Sequence, residues 1–246
     1  MKAIIMAGGK GTRLAPYTAV LPKPLVPVGN MPILELILRQ LKMHNITEVL
    51  LAVNHLSHII RAFFEEGQRL GMRITYVYED HPLGTAGPLG SAIEQLSESF
   101  LLLNGDLLCS LNFSSLVEAH HVHRAHATIA TYHREIKSDF GVLDIDESRN
   151  LVGYREKPIY RHEVSTGLYV LSREAVRPFV RPNEHLDMPE LMQLMLQRGQ
   201  RIYCYPVQGM WLDIGRPEDY ARAQELFTAQ PELFLPADKN AAPVGK

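Results

Sequence analysis

Apolar residues fall along this chain in short blocks, separated by polar, glycine-rich or proline-rich turns. Residues 1–6 (MKAIIM) make an apolar run of the length of a buried parallel strand. Residues 31–44 (MPILELILRQLKMH) repeat apolar positions at helical spacing, with Pro32 in the first turn. Residues 48–54 (EVLLAVN) then read as a strand, and Ser57 as the cap of a helix reaching about Gln68. The alternation in 73–78 (RITYVY) predicts another strand. Thr85 is placed to cap a helix over 86–95, and 99–104 (SFLLLN) is the next buried strand. A helix over 113–125 and a strand over 127–133 (ATIATYH) continue the rhythm. Strands spaced by helices predict a parallel sheet covered on both faces, with ligands outside the carboxyl ends of the strands.

The rhythm changes after Ser138. Residues 140–145 (FGVLDI) and 151–155 (LVGYR) flank the turn 146–150 (DESRN), which predicts a hairpin. A strand over 165–171, a short helix over 173–180 broken by Pro178, and a helix over 188–198 between an Asp187 cap and a Gly199 stop follow. A strand over 201–207 and a helix over 217–228 complete the pattern, and 231–246 reads as a loose tail. The expected fold is α/β, a Rossmann-like, doubly wound, mostly parallel mixed sheet. It forms one domain over 1–230 and a tail over 231–246.

Composition narrows the function. The 246 residues carry a net charge of −2, so there is no basic field of the kind nucleic acid demands. Cys109 and Cys204 are the only cysteines and form neither a disulfide framework nor a zinc pattern. The apolar N-terminal run is too short for a signal peptide and breaks at glycine, and no run reaches the ~18 residues of a membrane span. A cytoplasmic protein is expected.

The candidate chemistry starts at residues 7–27 (AGGKGTRLAPYTAVLPKPLVP). Gly8, Gly9 and Gly11 bring bare N–H groups close to a ligand just past a strand, an arrangement suited to phosphate oxygens. Arg13 and Lys23 add two cations, and Pro16, Pro22, Pro24 and Pro27 stiffen the loop. The spacing matches neither a Walker A loop nor a dinucleotide fingerprint. A second glycine turn, 79–90 (EDHPLGTAGPLG), follows another strand. Asp106 stands just past the apolar strand 99–104, where a hard carboxylate oxygen suits Mg²⁺ shared with phosphates. Asp213 sits among Trp211, Leu212 and Ile214, and a metal is a good partner for such a carboxylate. His120, His121, His123 and His126 crowd one helix end without metal-ligand spacing and read as a solvated polar face.

GGKGTRLAPYT followed by PKPLVPVGNMP resembles the signature of the sugar-1-phosphate nucleotidylyltransferases, and the resemblance extends over residues 1–228. LGTAGPL is similar to the branch that includes mannose-1-phosphate guanylyltransferases. The resemblance implies a single nucleotidyltransferase domain without the hexapeptide-repeat β-helix of some relatives. It implies that Ala7, Gly8, Gly9, Gly11, Thr12 and Arg13 wrap the nucleoside triphosphate, that Arg13 holds its pyrophosphate part, and that Lys23 contacts its phosphates. Gly84, Thr85 and Gly87 would meet the base and ribose by backbone contacts. NGD at Asp106 and WLDIG at Asp213 match the family's two metal-binding positions. EKP (156–158) and TGLYV (166–170) match its sugar-phosphate subsite, with Gly141, Glu156, Lys157, Thr166 and Gly167 as contacts. The catalytic set is then Arg13, Lys23, Asp106 and Asp213, with Mg²⁺ as cofactor.

The reaction implied is NTP + sugar 1-phosphate → NDP-sugar + pyrophosphate. GTP is favoured as donor, ahead of UTP, CTP and dTTP, and mannose 1-phosphate is the default acceptor. The expected partners are the NTP and the sugar phosphate, with no nucleic acid and no membrane, and a homodimer is left open. Three other readings stand beside it: a non-catalytic nucleotide-sugar sensor, a cytidylyltransferase acting on an alcohol phosphate, and an NAD oxidoreductase. The intact set Arg13, Lys23, Asp106, Lys157 and Asp213 weighs against the first. EKP, TGLYV and WLDIG weigh against the second, and the glycine spacing against the third.

Overall fold

Our computed structural model describes residues 1–215 and 217–235. In chain order the strands are β1 (Lys2–Met6), β2 (Pro27–Val28), β3 (Met31–Pro32), β4 (Glu48–Val53), β5 (Arg73–Tyr78), β6 (Ser99–Asn104) and β7 (Leu107–Cys109). They continue with β8 (Ala127–Lys137), β9 (Val142–Ile145), β10 (Leu151–Arg155), β11 (Ile159–Ser172), β12 (Ile202–Pro206) and β13 (Trp211–Asp213). The helices are α1 (Ile33–Met43), α2 (Ser57–Phe64), α3 (Leu89–Ala92), α4 (Phe113–Val122), α5 (Arg173–Val176), α6 (Met188–Gln197) and α7 (Pro217–Ala229).

Seven strands form one sheet in the order β12-β8-β11-β6-β1-β4-β5. β1 pairs in parallel with β4 and β6, and β12 with β8, while β11 runs antiparallel to both of its neighbours. This is the mixed, mostly parallel sheet expected. Alternation along the central strands explains the two layers around it. Ala3 and Ile5 face one apolar cluster with α1, and Ile4, Leu50 and Leu102 face the other with α6. Leu34, Leu38 and Leu41 on α1 are fully buried, each contributing about 1.5–3 kcal/mol by leaving water.

Several local expectations need correction. Residues 31–32 pair in the β2–β3 ladder instead of starting α1. Leu56, not Ser57, holds the cap position of α2, and that helix stops at Phe64. The helix expected behind Thr85 shrinks to α3 and one 3₁₀ turn. Asn112 caps α4, its side chain accepting the Ser115 N–H at 3.0 Å. His120 on α4 is buried between Thr128 and Ser172 and held neutral, its pKa lowered to about 4 chiefly by burial; His121, His123 and His126 are exposed. The expected tail begins too early. Phe234 is buried against the core, and Gln40 donates to its carbonyl at 2.9 Å. Residues 236–246 lie outside the described ones.

β8 and β11 exceed their expected lengths and pair from Ala127–Leu171 out to Lys137–Ile159. Beyond Thr131 and Ser165 this ladder leaves the sheet as an exposed two-stranded arm. The small β9–β10 hairpin lies between its strands in the chain.

Candidate active site

The carboxyl ends of β1, β4, β5 and β6 bring Ala7, Asn54, Glu79 and Gly105 to one edge of the sheet. The chain after β1 is pinned at both ends. Ala7 donates to the Ala52 carbonyl at 2.8 Å, Leu14 is fully buried, and Thr18 donates to the Gly11 carbonyl at 2.8 Å. Gly11 adopts φ +62°, and a Cβ there would stand 2.9 Å from both Lys23 and Thr18, so glycine is demanded by conformation and by space. Helix α7 clamps the far end of the loop: Tyr220 and Gln224 donate to the Pro27 carbonyl at 2.9 and 2.7 Å.

Between these anchors, the N–H groups of Gly8, Gly9, Lys10 and Gly11 find no acceptor among the described residues. Four successive donors without acceptors at the end of a parallel strand are suited to an anion. The 3₁₀ turn Lys23–Leu25, buried at Pro24 and Leu25, holds Lys23 so that its ammonium ion-pairs with Asp106. Asp106 in turn sits where β6 turns into β7.

The β7–β13 ladder, which sequence patterning missed, supplies the other carboxylate. Asp213 pairs in register with Leu107, and Ile214 donates to the Asp106 carbonyl at 2.9 Å. Each strand has three residues, too few for an alternation signal. Asp213 is open to the cleft yet set deep among protein atoms. Burial first, then the like charge of Asp106, hold its carboxyl above the usual range, against the pull of Lys23 and Arg13. Among the described residues no group of three or more His, Cys, Asp and Glu side chains is placed to hold a metal. Asp106 and Asp213 are two neighbouring carboxylates of the donor type that suits a hard cation.

The second glycine turn behaves differently. Ala86 and Gly87 both donate to the Leu186 carbonyl at 2.9 Å, and Thr85 donates to Asp187 Oδ1 at 3.0 Å. Thr85 Oγ1 accepts the Met188 N–H at 2.7 Å, so it caps α6 while the Asp187 carboxylate turns to the loop. A Cβ on Gly87 would come within 2.2 Å of the Leu83 carbonyl oxygen and 2.6 Å of that of Glu184. The N–H groups of Thr85 and Gly87 are thus bonded within the chain, to Asp187 and Leu186. Gly84 keeps an N–H with no acceptor among the described residues.

The expected sugar-phosphate residues divide into two groups. Thr166 and Gly167 lie at the sheet edge. Thr166 donates to the Ala130 carbonyl at 2.8 Å and accepts from Trp211 Nε1 at 3.0 Å. Gly167, at φ +80°, faces Asn104, whose Nδ2 lies 2.5 Å from where a Cβ would stand. Gly141, Tyr154 and Glu156 group at the β9–β10 hairpin that joins the strands of the arm, where the Tyr154 hydroxyl donates to Glu156 at 3.2 Å. Lys157 is exposed and held at φ +43°, a left-handed conformation rare for lysine. None of these arm residues hydrogen-bonds or ion-pairs with Lys23, Asp106 or Asp213 among the described residues.

Two further features escaped sequence reasoning. A cleft of about 380 Å³ opens between the arm and α7, lined by residues that include Arg13, Tyr132, Arg134, Trp211, Asp213 and Arg222. Glu79 packs over Gly8 and accepts the Leu83 N–H at 3.1 Å, and burial raises its pKa. It stands one residue past β5, as Asp106 stands two past β6, and a carboxylate just beyond a strand was the available signal.

The fold and this edge define a nucleotide-handling α/β protein, and comparison with known proteins gives the family. The family described as Nucleotidyl transferase matches residues 2–230, and the chain belongs to it. Mannose-1-phosphate guanyltransferase beta-A of Xenopus laevis is 39% identical over 228 residues, covering 89% of this chain and 62% of that protein. Mannose-1-phosphate guanylyltransferase catalytic subunit beta of Danio rerio is 34% identical over 251 residues, covering 99% of this chain and 69% of that one. The chain thus spans somewhat less than two thirds of the Xenopus relative's length. A putative glucose-1-phosphate thymidylyltransferase from Bacillus anthracis, solved in complex with a sucrose, superposes with a TM-score of 0.74 at 27% identity, covering 92% of this chain and 94% of that one. No helix among the described residues is long and apolar enough to cross a membrane.

Proposed function

We propose that this protein transfers a nucleoside monophosphate from an NTP to a sugar 1-phosphate, releasing pyrophosphate, with GTP and mannose 1-phosphate as the preferred pair. The observation that carries the reading is the row of N–H groups without acceptors among the described residues at Gly8, Gly9, Lys10 and Gly11, at the same sheet edge as the Lys23–Asp106 ion pair and Asp213. The names of the Xenopus and Danio relatives support the preferred pair.

The sugar phosphate is itself the nucleophile and is largely ionised at neutral pH, so no general base is required. The protein must align two polyanions and offset their repulsion. The 8–11 amides seat the triphosphate, and Arg13 and Lys23 set cations along it. Lys157 receives the acceptor's phosphate, and Glu156 and the Gly141 backbone receive sugar hydroxyls. Asp106 and Asp213 would hold Mg²⁺, whose chemistry is to withdraw charge from the α-phosphate; its remaining ligands would come from phosphates and water. The fit rests on the burial of the Asp213 carboxylate and, after it, the like charge of Asp106, both of which a divalent cation offsets.

A pyrophosphate-release screen tests the reading: four NTPs against a panel of sugar 1-phosphates, with Mg²⁺ and with EDTA. Mg²⁺-dependent release, greatest for GTP with mannose 1-phosphate, is expected. Release with UTP or dTTP instead would reassign the base and leave the chemistry standing. Silence across the panel from folded, NTP-binding protein would overturn the catalytic reading.

A further inference from the structure

Helix α7 meets the nucleotide loop at two separate places. In the middle of the loop, the Tyr17 and Tyr220 rings lie 5.6 Å apart at a tilt of 53°. At its end, α7 grips the turn between β2 and β3. Gln224 Nε2 donates to the Pro27 carbonyl at 2.7 Å, its Oε1 accepts the Gly29 N–H at 2.9 Å, and the Tyr220 hydroxyl donates to Pro27 at 2.9 Å. Nε2 also donates to the Tyr220 oxygen at 2.8 Å, which ties the two side chains together. Phe227 lies against Gly29, where a Cβ would come within 2.6 Å of the ring. The apolar contacts of Ala223 and Phe227 hold α7 on the core but are non-directional, whereas these four hydrogen bonds select one setting of helix against turn.

Both sides of this grip lead to the reacting edge within a few residues. Lys23 precedes Pro27 by four residues, and its ammonium pairs with Asp106. Asp213 precedes the first residue of α7 by four, and its neighbour Ile214 donates to the Asp106 carbonyl at 2.9 Å. The circuit is closed: Asp106 to Lys23, to the 27–29 turn, to α7, to Asp213 and back to Asp106. We propose that Gln224 and Tyr220 are positioning residues, which set the Lys23 ammonium against the two carboxylates through the backbone of the 27–29 turn. The proposal rests on the nucleotidyl-transfer reading for what Lys23 does, while the placement itself belongs to the free protein. Lysine carries its charge on a flexible four-carbon stem, so its aim depends on where its backbone is held. A displacement of about 1 Å is enough to cost a reaction much of its rate.

The placement is tested without substrate, by acetylating the lysines of the whole chain and reading each peptide by mass spectrometry. The Lys23 side chain is 12% exposed and ion-paired, so it should react more slowly than the exposed Lys137. Gln224→Met keeps the length of the side chain and removes its hydrogen bonds. Combined with Tyr220→Phe, it should speed labelling of Lys23 several-fold and leave Lys137 unchanged, with melting temperature as the folding control. Initial rates read the consequence. In the double variant kcat should fall about tenfold with KM for sugar 1-phosphate unchanged, and in a Lys23→Ala background the same two substitutions should cost little more. Tyr220→Phe alone leaves the Gln224 amide in place and should keep most of the rate. Unchanged labelling of Lys23 in the folded double variant would overturn the proposal, and so would a kcat loss that persists in full in the Lys23→Ala background. An inactive wild type would count against the reaction assigned to the site, while the labelling result decides the placement by itself.

Discussion

The two glycine-rich turns of this protein look alike in sequence and do opposite work. Both follow a parallel strand, and both place glycines near the carboxyl edge of the sheet. The 8–11 turn leaves its N–H groups without acceptors among the described residues. The 84–87 turn spends those of Thr85, Ala86 and Gly87 on Leu186 and Asp187. Space tells the same story. A Cβ on Gly9 would meet nothing within 4 Å, whereas one on Gly87 would strike backbone carbonyls. In the first turn Gly9 keeps room and a donor for something outside the chain, while Gly8 and Gly11 allow close packing against Glu79, Thr18 and Lys23. In the second, glycine lets two stretches of backbone pack together.

The largest effect that would sharpen this contrast is on the chemistry beside the first turn. Asp213→Asn should lower kcat by ~10²-fold or more, the scale of an electrostatic catalytic group, as read by initial-rate kinetics at saturating substrates. Near-normal turnover would detach the first turn from any metal centre at Asp106 and Asp213.

Next comes Gly87→Ala, which should destabilise the fold by about 1–3 kcal/mol through overpacking and lower Tm by several degrees. NTP affinity measured well below the transition should stay within a few-fold of wild type. A variant that melts normally but loses NTP would make the second turn a ligand loop after all.

On the arm, Lys157→Ala should raise KM for the sugar 1-phosphate about tenfold, the cost of one charge-assisted contact, and leave KM for the NTP unchanged. Equal losses for both substrates would place Lys157 elsewhere in the reaction.

The smallest effect is on stability against pH. The folded-state pKa of Asp213 is raised, so the native state binds its proton more tightly than the unfolded chain does. That contribution is complete below the unfolded carboxylate pKa and disappears as pH rises through the higher folded value. Asp213→Asn should therefore raise the Tm of the metal-free protein at neutral pH, and Mg²⁺ with NTP should stabilise the wild type more than the variant. A fall in Tm on substitution would contradict the like-charge account.

The sheet was legible in sequence because its strands are short, apolar or strictly alternating, and bounded by turns: 73–78 and 99–104 match β5 and β6 residue for residue. The outer half of β11 was not, since Arg161, His162 and Glu163 are exposed and carry no buried face. Asp106 could be placed from its position after an apolar strand. Asp213 announced itself as a carboxylate among apolar neighbours, but its partner strand was too short to see. Which backbone donors are free is a property of three-dimensional neighbours, so sequence could not separate Gly9 from Gly87. Arg134 and Arg222 stand 88 residues apart and meet only through the arm and α7.

Gly9→Ala tests the central claim most directly, because the added methyl has open space in the ligand-free protein and any loss is owed to what approaches the turn. Paired melting and NTP titration should show an unchanged Tm with NTP affinity down about tenfold, the scale of one displaced charge-assisted hydrogen bond. Unchanged NTP affinity in a normally folded variant would contradict the cradle formed by the 8–11 amides, and with it the placement of the nucleotide.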